Sequence, residues 1–491
     1  MKVFIMQAKA RLRDAYHWFI WQCNQATGER ANARIKFFVQ NQRGSIITYA
    51  ALAVLPLAGF TGVALDTARA YMLQSQLTAS LDASALAAGK ALTEEEILAD
   101  VNRYFDVNFK DGYMNAAVTG PFASYNSDTN TITVTASADM HTSFMHLFGQ
   151  NIITVSSQTQ IQRNVRGMEL VLVMDNTGSM RSGSKMSTMK NAAADLINIL
   201  YGERETVDDF WVGLVPFVAS INIGADNWDW LSGYDPSDFT DEGTVWKGCV
   251  EARSGTHDRD DSTPSENPFT PYFYPDASDN NYPPIREENY YQNDGKGPNL
   301  GCGPAITPLT SSKTTIIEKI EEMLPWHRGG TMSNLGLSWG WRVLSPNWRG
   351  VWHTDDASLP KDYDEPLMDK VAIILTDGVN QFYDHGSSGP DGSDYTAYGR
   401  RHWNRLGLGS TSSGNSTNEI NARMSTTCEA MKQEGIIIYT ITFQLSNSST
   451  QSLYRNCATS DAHYFNSPSN EELQLVFRRI GNELSNLRIT Q

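Results

Sequence analysis

"MELVLVMDNTGSM" (168–180) opens as an apolar run and closes on an aspartate followed by two hydroxyl side chains at alternate positions. A strand that is apolar on successive residues is covered on both faces, the condition of a central strand in a parallel sheet. Asp175, Thr177 and Ser179 then fall on one short loop at its carboxyl end. Oxygen ligands at i, i+2 and i+4 suit a hard cation, and Gly178 lets the loop bend tightly around it.

Outward from this stretch the chain alternates. "SKMSTMKNAAADLINIL" (184–200) has the spacing of an amphipathic helix, and "FWVGLVPFV" (210–218), "DKVAIILTDG" (369–378) and "EGIIIYTITF" (434–443) read as three more buried strands. The tail continues as helix, strand, short helix, edge strand, helix. Such alternation predicts an α/β fold with a doubly wound, Rossmann-like, mostly parallel sheet over 166–489, in which ligands bind beyond the carboxyl ends of the strands. Asp377, like Asp175, stands just past a strand end. "HRGGTMSNLGL" (327–337) places Thr331 on a glycine-flanked turn before a helix that begins near Ser333. Three insertions are expected, at about 220–312, 347–367 and 379–417. The first is acidic and aromatic and reads as an ordered loop on the binding face. The last is rich in Gly and Ser and is expected to be mobile.

With 491 residues the chain has room for two or three domains, and a formal net charge of −16 excludes general nucleic-acid binding, which needs a basic face. Of the five cysteines, Cys23 stands apart, while Cys249, Cys302, Cys428 and Cys457 permit three pairings. Sequence order favours Cys249–Cys302 and Cys428–Cys457, which implies an oxidising compartment. Ile46 to Leu65, "IITYAALAVLPLAGFTGVAL", is uncharged for about 20 residues, the length that spans a bilayer. Lys2, Lys9, Arg11, Arg13, Arg30, Arg34, Lys36 and Arg43 precede it, so segment 1–44 is expected to stay in the cytoplasm, 45–66 to cross the membrane, and the rest to lie outside. Pro56 and Gly59 are tolerable in such a helix. The helix continues past Asp66, with small residues at Ala79, Ala83, Ser84, Ala87 and Ala88 offering a smooth face to another helix. "TNTITVTASADM" and "NIITVSSQTQIQ" alternate as half-exposed strands, giving 67–165 a pilin-like α+β outline.

The succession D-x-T-x-S, G-G-T and T-D-G along an α/β chain resembles a von Willebrand factor type A (VWA) domain with its metal-ion-dependent adhesion site (MIDAS). The resemblance implies a divalent cation, Mg²⁺, Mn²⁺ or Ca²⁺. Thr177, Ser179 and Thr331 would ligate it through hydroxyls, and Asp175 and Asp377 directly or through water. The family more often carries Ser where Thr177 stands. Neutral hydroxyls leave much of the cation's charge uncompensated, so an open position would attract an acidic side chain from a protein partner. The whole arrangement, from "RGSIITYAALAVLPLAGFTGVAL" onward, is similar to TadG-like pilus-assembly proteins of bacterial tight-adherence (Flp) systems. It implies a single-pass inner-membrane protein, its C-terminal domain periplasmic or surface-exposed, that works in pilus assembly or adhesion. Prepilin-peptidase sites of type IV systems carry Glu five residues past the cut, whereas Tyr49 holds that place after Gly44 here, which favours retention as an anchor. The alternative is a structural minor pilin with a vestigial metal site. An aspartyl-phosphate phosphotransferase would share D-x-T-G-[ST], but no suitably placed lysine motif, Walker loop, nucleophile elbow or H-E-x-x-H accompanies it, so no enzymatic activity is expected. His327, His385 and His463 read as loop or packing residues.

Overall fold

The computed structural model describes residues 46–89, 94–126, 131–162, 164–233, 235, 245–287, 295–354, 356–384 and 392–490. The basic segment 1–44, Cys23, Gly44 and His385 lie outside the described residues. The chain divides into two compact units, residues 1–162 and 163–491.

In the first unit, helix α1 (Ile46–Ala88) is followed by α2 (Glu94–Asn108) and by strands β1 (Ala117–Asn126), β2 (Thr131–His141) and β3 (Ile152–Gln162), which form an antiparallel sheet in that order. The later half of α1 buries Leu73, Leu77, Leu81, Ala85 and Ala88, one stripe at i, i+4 and i, i+3 spacing, against Ile97, Val101 and Phe105 of α2, Phe109 just past it and the inward residues of β2. The small-residue face anticipated for another helix is packed only in part, with Ala83 and Ala87 half-buried. Ala79 is exposed and only Ser84 and Ala88 of that set are buried, because the leucine stripe offers far more apolar area. The earlier half leaves Leu52, Val54, Leu57 and Phe60 exposed. Among the described residues, α1 alone is long and apolar enough to cross a membrane. The sequence reading singles out neither α2 nor β1, although Ile97, Val101 and Phe105 recur at i, i+4 spacing along α2. β1 carries Gly120 and Pro121 at a bulge between Thr119 and Phe122, residues that read as a turn.

The second unit is a mixed α/β body. Its elements are β4 (Gly167–Asp175), α3 (Lys185–Tyr201), β5 (Phe210–Phe217), β6 (Thr307–Thr310), α4 (Lys313–Glu322), α5 (Ser333–Leu344), β7 (Met368–Thr376), α6 (Ser413–Gln433), β8 (Ile437–Phe443), α7 (Ser448–Cys457), β9 (Tyr464–Ser467) and α8 (Asn470–Arg488). The six-stranded sheet runs β9-β8-β7-β4-β5-β6, parallel except for β6. Along β4, Leu170, Leu172 and Met174 enter the core with α3, α4 and α8, while Val171 and Val173 enter the core with α5, α6 and α7. Each large apolar side chain so buried contributes about 1.5–3 kcal/mol, which is why this strand is apolar throughout. Its exception, Glu169, is paired with Lys370 of β7 and accepts from the Lys361 N–H at 2.6 Å.

The insertions differ from expectation in extent and order. Edge strand β6 lies inside 220–312, because four residues containing a proline carry too little periodicity to announce a strand. Helix α6 begins inside 379–417, where the Ser412 hydroxyl accepts from the Asn415 N–H. The stretch expected to be mobile buries Ser393, Asp394, Tyr395, Thr396, Ala397 and Tyr398, held by polar contacts to the other insertion. Trp230 and Phe269 of the first insertion pack with Trp339, Trp348 and Trp352, ring centroids 4.9–6.0 Å apart. Cys249 is bonded to Cys302 and Cys428 to Cys457, so the second bridge ties α6 to the last residue of α7.

Candidate metal centre

Strands β4 and β7 run side by side and parallel, Met174 opposite Leu375, so Asp175 and Asp377 leave the sheet at the same edge. Asp175 is fully buried, and both its oxygens are engaged. Oδ1 accepts from the Thr177 N–H at 2.8 Å and from the Thr177 hydroxyl at 2.6 Å, and Oδ2 accepts from the Thr376 hydroxyl at 2.6 Å. The Thr177 and Ser179 hydroxyls lie 3.0 Å apart, and Ser179 donates to Asp377 Oδ1 at 2.5 Å. The other Asp377 oxygen accepts from Lys185 Nζ at 2.8 Å. A hydroxyl that donates its proton to a carboxylate keeps oxygen lone pairs for a cation.

Thr331 reaches the same place from a different direction. A Cβ built on Gly378 would sit 3.6 Å from the Thr331 hydroxyl oxygen and 3.8 Å from that of Ser179. Thr331 belongs to a two-residue strand, Gly330–Thr331, paired antiparallel with Gln381–Phe382. The glycines before it are required by shape: both have positive φ, and a Cβ would come within 2.1 Å of Ala219 Cβ at Gly329 and of the Gln381 carbonyl oxygen at Gly330. Asp175, Thr177, Ser179, Thr331 and Asp377 therefore converge at one sheet edge. All are buried except Ser179, which is exposed and marks the open side.

The loop is stiffened from behind. The Trp326 N–H donates to the Asn176 carbonyl at 2.7 Å, and Asn176 Nδ2 donates to Leu324 O at 3.2 Å. His327 Nδ1 would lie 3.1 Å from a Cβ on Gly178, and its Nε2 is 2.7 Å from Arg181 Nη1, so His327 packs against the loop. Burial foremost, and next the charge of Asp377, push the Asp175 carboxyl up to about 7, against the Thr177 and Thr376 hydrogen bonds that favour its charged form.

Two contributors escape the motifs. Thr376 lies within T-D-G but has no role in it. Lys185, first residue of α3, neutralises Asp377 with an ammonium that is itself largely buried. Its position six residues past Ser179, at the start of the helix that follows the loop, is the sequence signal for it. Among the described residues no three acidic, histidine or cysteine side chains gather as a metal cluster; the donor set here is two carboxylates and three hydroxyls. All five donors are oxygens, the chemistry of Mg²⁺, Mn²⁺ and Ca²⁺ rather than of zinc or copper.

The second unit is thus a mixed α/β body with an all-oxygen cluster at the carboxyl edge of its sheet. In the first unit, residues 44–91 match the family described as "Putative Flp pilus-assembly TadE/G-like". Among solved structures, the chain is similar to the pilus adhesin SpaC from Lactobacillus rhamnosus GG, at 12% identity over 76% of this chain and 34% of that one, with a TM-score of 0.36. It spans about a third of that adhesin's length. It is also similar to the vWF domain of the type V pili tip protein Mfa5 from Porphyromonas gingivalis, at 11% identity over 67% of this chain and 97% of that one, TM-score 0.36. A third similar structure is proximal thread matrix protein 1 from the mussel byssus with a zinc-occupied MIDAS motif, at 14% identity over 66% of this chain and 46% of that one, TM-score 0.30. No curated protein matches.

Proposed function

We propose that this is a membrane-anchored, pilus-associated adhesion protein whose residues 163–491 form a doubly wound VWA domain. Its MIDAS holds a divalent cation that captures an acidic side chain of a protein partner. The observation that carries the reading is the convergence of five oxygen-bearing side chains, drawn from three separate stretches of sequence, around Gly378. Asp175 and Asp377 supply the negative charge, Thr177, Ser179 and Thr331 supply neutral oxygens, and exposed Ser179 leaves a side open. The bound ion would supply an electrophilic position for a carboxylate. α1 supplies the anchor, with the basic segment 1–44 in the cytoplasm and the second unit periplasmic or surface-exposed.

The phosphotransferase alternative gains a lysine that sequence reading missed, since Lys185 touches Asp377. It loses its nucleophile: both oxygens of Asp175 are occupied by donors and no part of it is exposed. We therefore read the site as a binding centre without catalysis. Lys185 also supports the second reading, a structural minor pilin whose ammonium has replaced the ion.

Calorimetric titration of the full-length protein with Mg²⁺ and Mn²⁺ decides between the two. Asp175→Ala is expected to abolish cation binding, and the near-isosteric Thr331→Val to weaken it by roughly tenfold, about 1.4 kcal/mol, with circular dichroism unchanged in both. Cation affinity unaltered by both substitutions overturns the MIDAS reading. No binding by the unmodified chain leaves the minor-pilin reading standing.

A further inference from the structure

The membrane helix carries an unexplained companion. Between β2 and β3, "TSFMHLFG" (142–149) forms a short turn whose Phe144, Leu147 and Phe148 are 42%, 72% and 59% exposed. A soluble domain has no reason to present three large apolar side chains on one eight-residue loop. The turn does not hang free. The Asp66 carboxylate, itself buried, accepts from the N–H groups of Ser143, Phe144 and Met145 at 2.9, 2.7 and 2.8 Å. Arg69 donates to the Ser143 hydroxyl at 2.5 Å. The loop is therefore fixed in height along α1 by the first charged residue after the apolar run.

Its height is the telling feature. Gly62 is buried under Phe144, where a Cβ would come 2.5 Å from Phe144 Cβ, and a Cβ on Gly59 would come 3.0 Å from Phe148 Cζ. Both glycines belong to the uncharged run that ends at Leu65, and Gly59 lies six residues, about 9 Å of helix, inside that end. Leu57 and Phe60 at the same depth are exposed as well. Interfacial apolar segments sink about 5–10 Å into the boundary between headgroups and acyl chains, which is the depth at which this loop is held.

We propose that Phe144, Leu147 and Phe148 form a second membrane contact, a loop that inserts into the leaflet at the carboxyl end of the span and sets the first unit against the lipid surface. The occupant of the apolar tip is lipid, because the loop is continuous with the apolar segment of α1 and packs on it through two glycines. Phe and Leu are the side chains that the buried face of an interfacial segment carries. The backbone N–H groups that fix the loop also shield the Asp66 carboxylate from the acyl region. The inference rests on α1 being a membrane anchor.

The test uses the full-length chain carrying Cys23→Ser, reconstituted in phosphatidylethanolamine and phosphatidylglycerol vesicles under non-reducing conditions. An environment-sensitive fluorophore is attached at Leu147→Cys, Phe148→Cys, Leu57→Cys or Asp106→Cys, and quenching by lipids brominated near the headgroup or near the chain end is compared. Probes at 147 and 148 are expected to be blue-shifted and quenched by shallow bromine, the probe at 57 to be quenched by deeper bromine, and that at 106 to remain water-like. Quenching at 57 with water-like probes at 147 and 148 overturns the loop contact and leaves the anchor standing. Blue-shifted but unquenched probes at 147 and 148 show a protein neighbour, such as a second copy, and overturn it also. An unquenched probe at 57 removes the anchor and the inference together.

Discussion

Asp175 is the residue on which the site's behaviour turns, because a carboxylate with no exposed surface faces a second one with only hydroxyls between them. Burial, seconded by Asp377, raises it from an ordinary 3.8 to about 7, so the ion-free domain keeps a proton there at acidic pH. The sign follows. A carboxyl whose folded value lies above its unfolded one adds stability that is fully present below pH ~4 and is lost as pH rises through about 7. A divalent ion held at the proposed site would reverse this, since it would bind the charged form and replace the proton. We expect Mg²⁺ affinity to fall by up to about tenfold for each pH unit below 7 and to level off above it. The thermal midpoint in chelator should drop below that in excess Mg²⁺ by a margin that widens from pH 5 to pH 8. Flat affinity across that range would mean that Asp175 does not meet the ion. D-x-T-x-S was legible because its donors lie within one turn of chain. Thr376 was not, since its bond to Asp175 joins residues 201 apart and nothing local marks it.

At the scale of elements, the segment that presents Thr331 is held by the insertions rather than by the sheet alone. Arg328 donates to Asp394 Oδ2 at 2.7 Å and Oδ1 at 2.8 Å, and to Asp279 at 3.1 Å, while Arg400 meets Asp279 at 2.7 Å. Asp279 comes from the first insertion, Asp394 and Arg400 from the last, and all four side chains are almost wholly buried. Burial alone would lower the Arg328 pKa, but the hydrogen-bonded Asp394 and the surrounding charges more than offset it, and the guanidinium stays charged. Arg328→Met leaves buried carboxylates short of a partner, at a cost of about 3–5 kcal/mol in denaturant unfolding, with amide exchange rising across 245–287 and 392–404. Arg328→Lys should not restore it, because one ammonium lacks the fork that bridges two carboxylates. An unfolding midpoint unchanged in Arg328→Met would show that the insertions do not brace the Thr331 turn. Partners 49 and 66 residues away give such a quartet no signature in sequence, and a Gly/Ser-rich stretch accordingly read as mobile.

For the whole molecule, the alternation of apolar strands and amphipathic helices carried enough information to anticipate a mostly parallel sheet, whereas β1 and β6 hid behind prolines. Each unit buries its own apolar side chains: among the described residues one core gathers residues between Leu73 and Val155, and three others gather residues between Met168 and Leu484. Among the described residues no side chain of one set belongs to the other, so the second unit has what it needs to fold alone. Its two ends are also joined, since Asn164–Val165 pairs antiparallel with Ile489–Thr490. A fragment of residues 163–491 is therefore expected to unfold in one cooperative transition and to bind Mg²⁺ within a factor of about three of the full chain, a difference under ~0.7 kcal/mol. Starting the fragment at 168 removes the closing pair and frays both ends, and should lower the midpoint without moving the affinity, because the five side chains of the site lie at the opposite, carboxyl edge of the sheet. An affinity lost in fragment 163–491 that still melts cooperatively would mean that the ion's coordination depends on the first unit, and the site would no longer be a property of this fold alone.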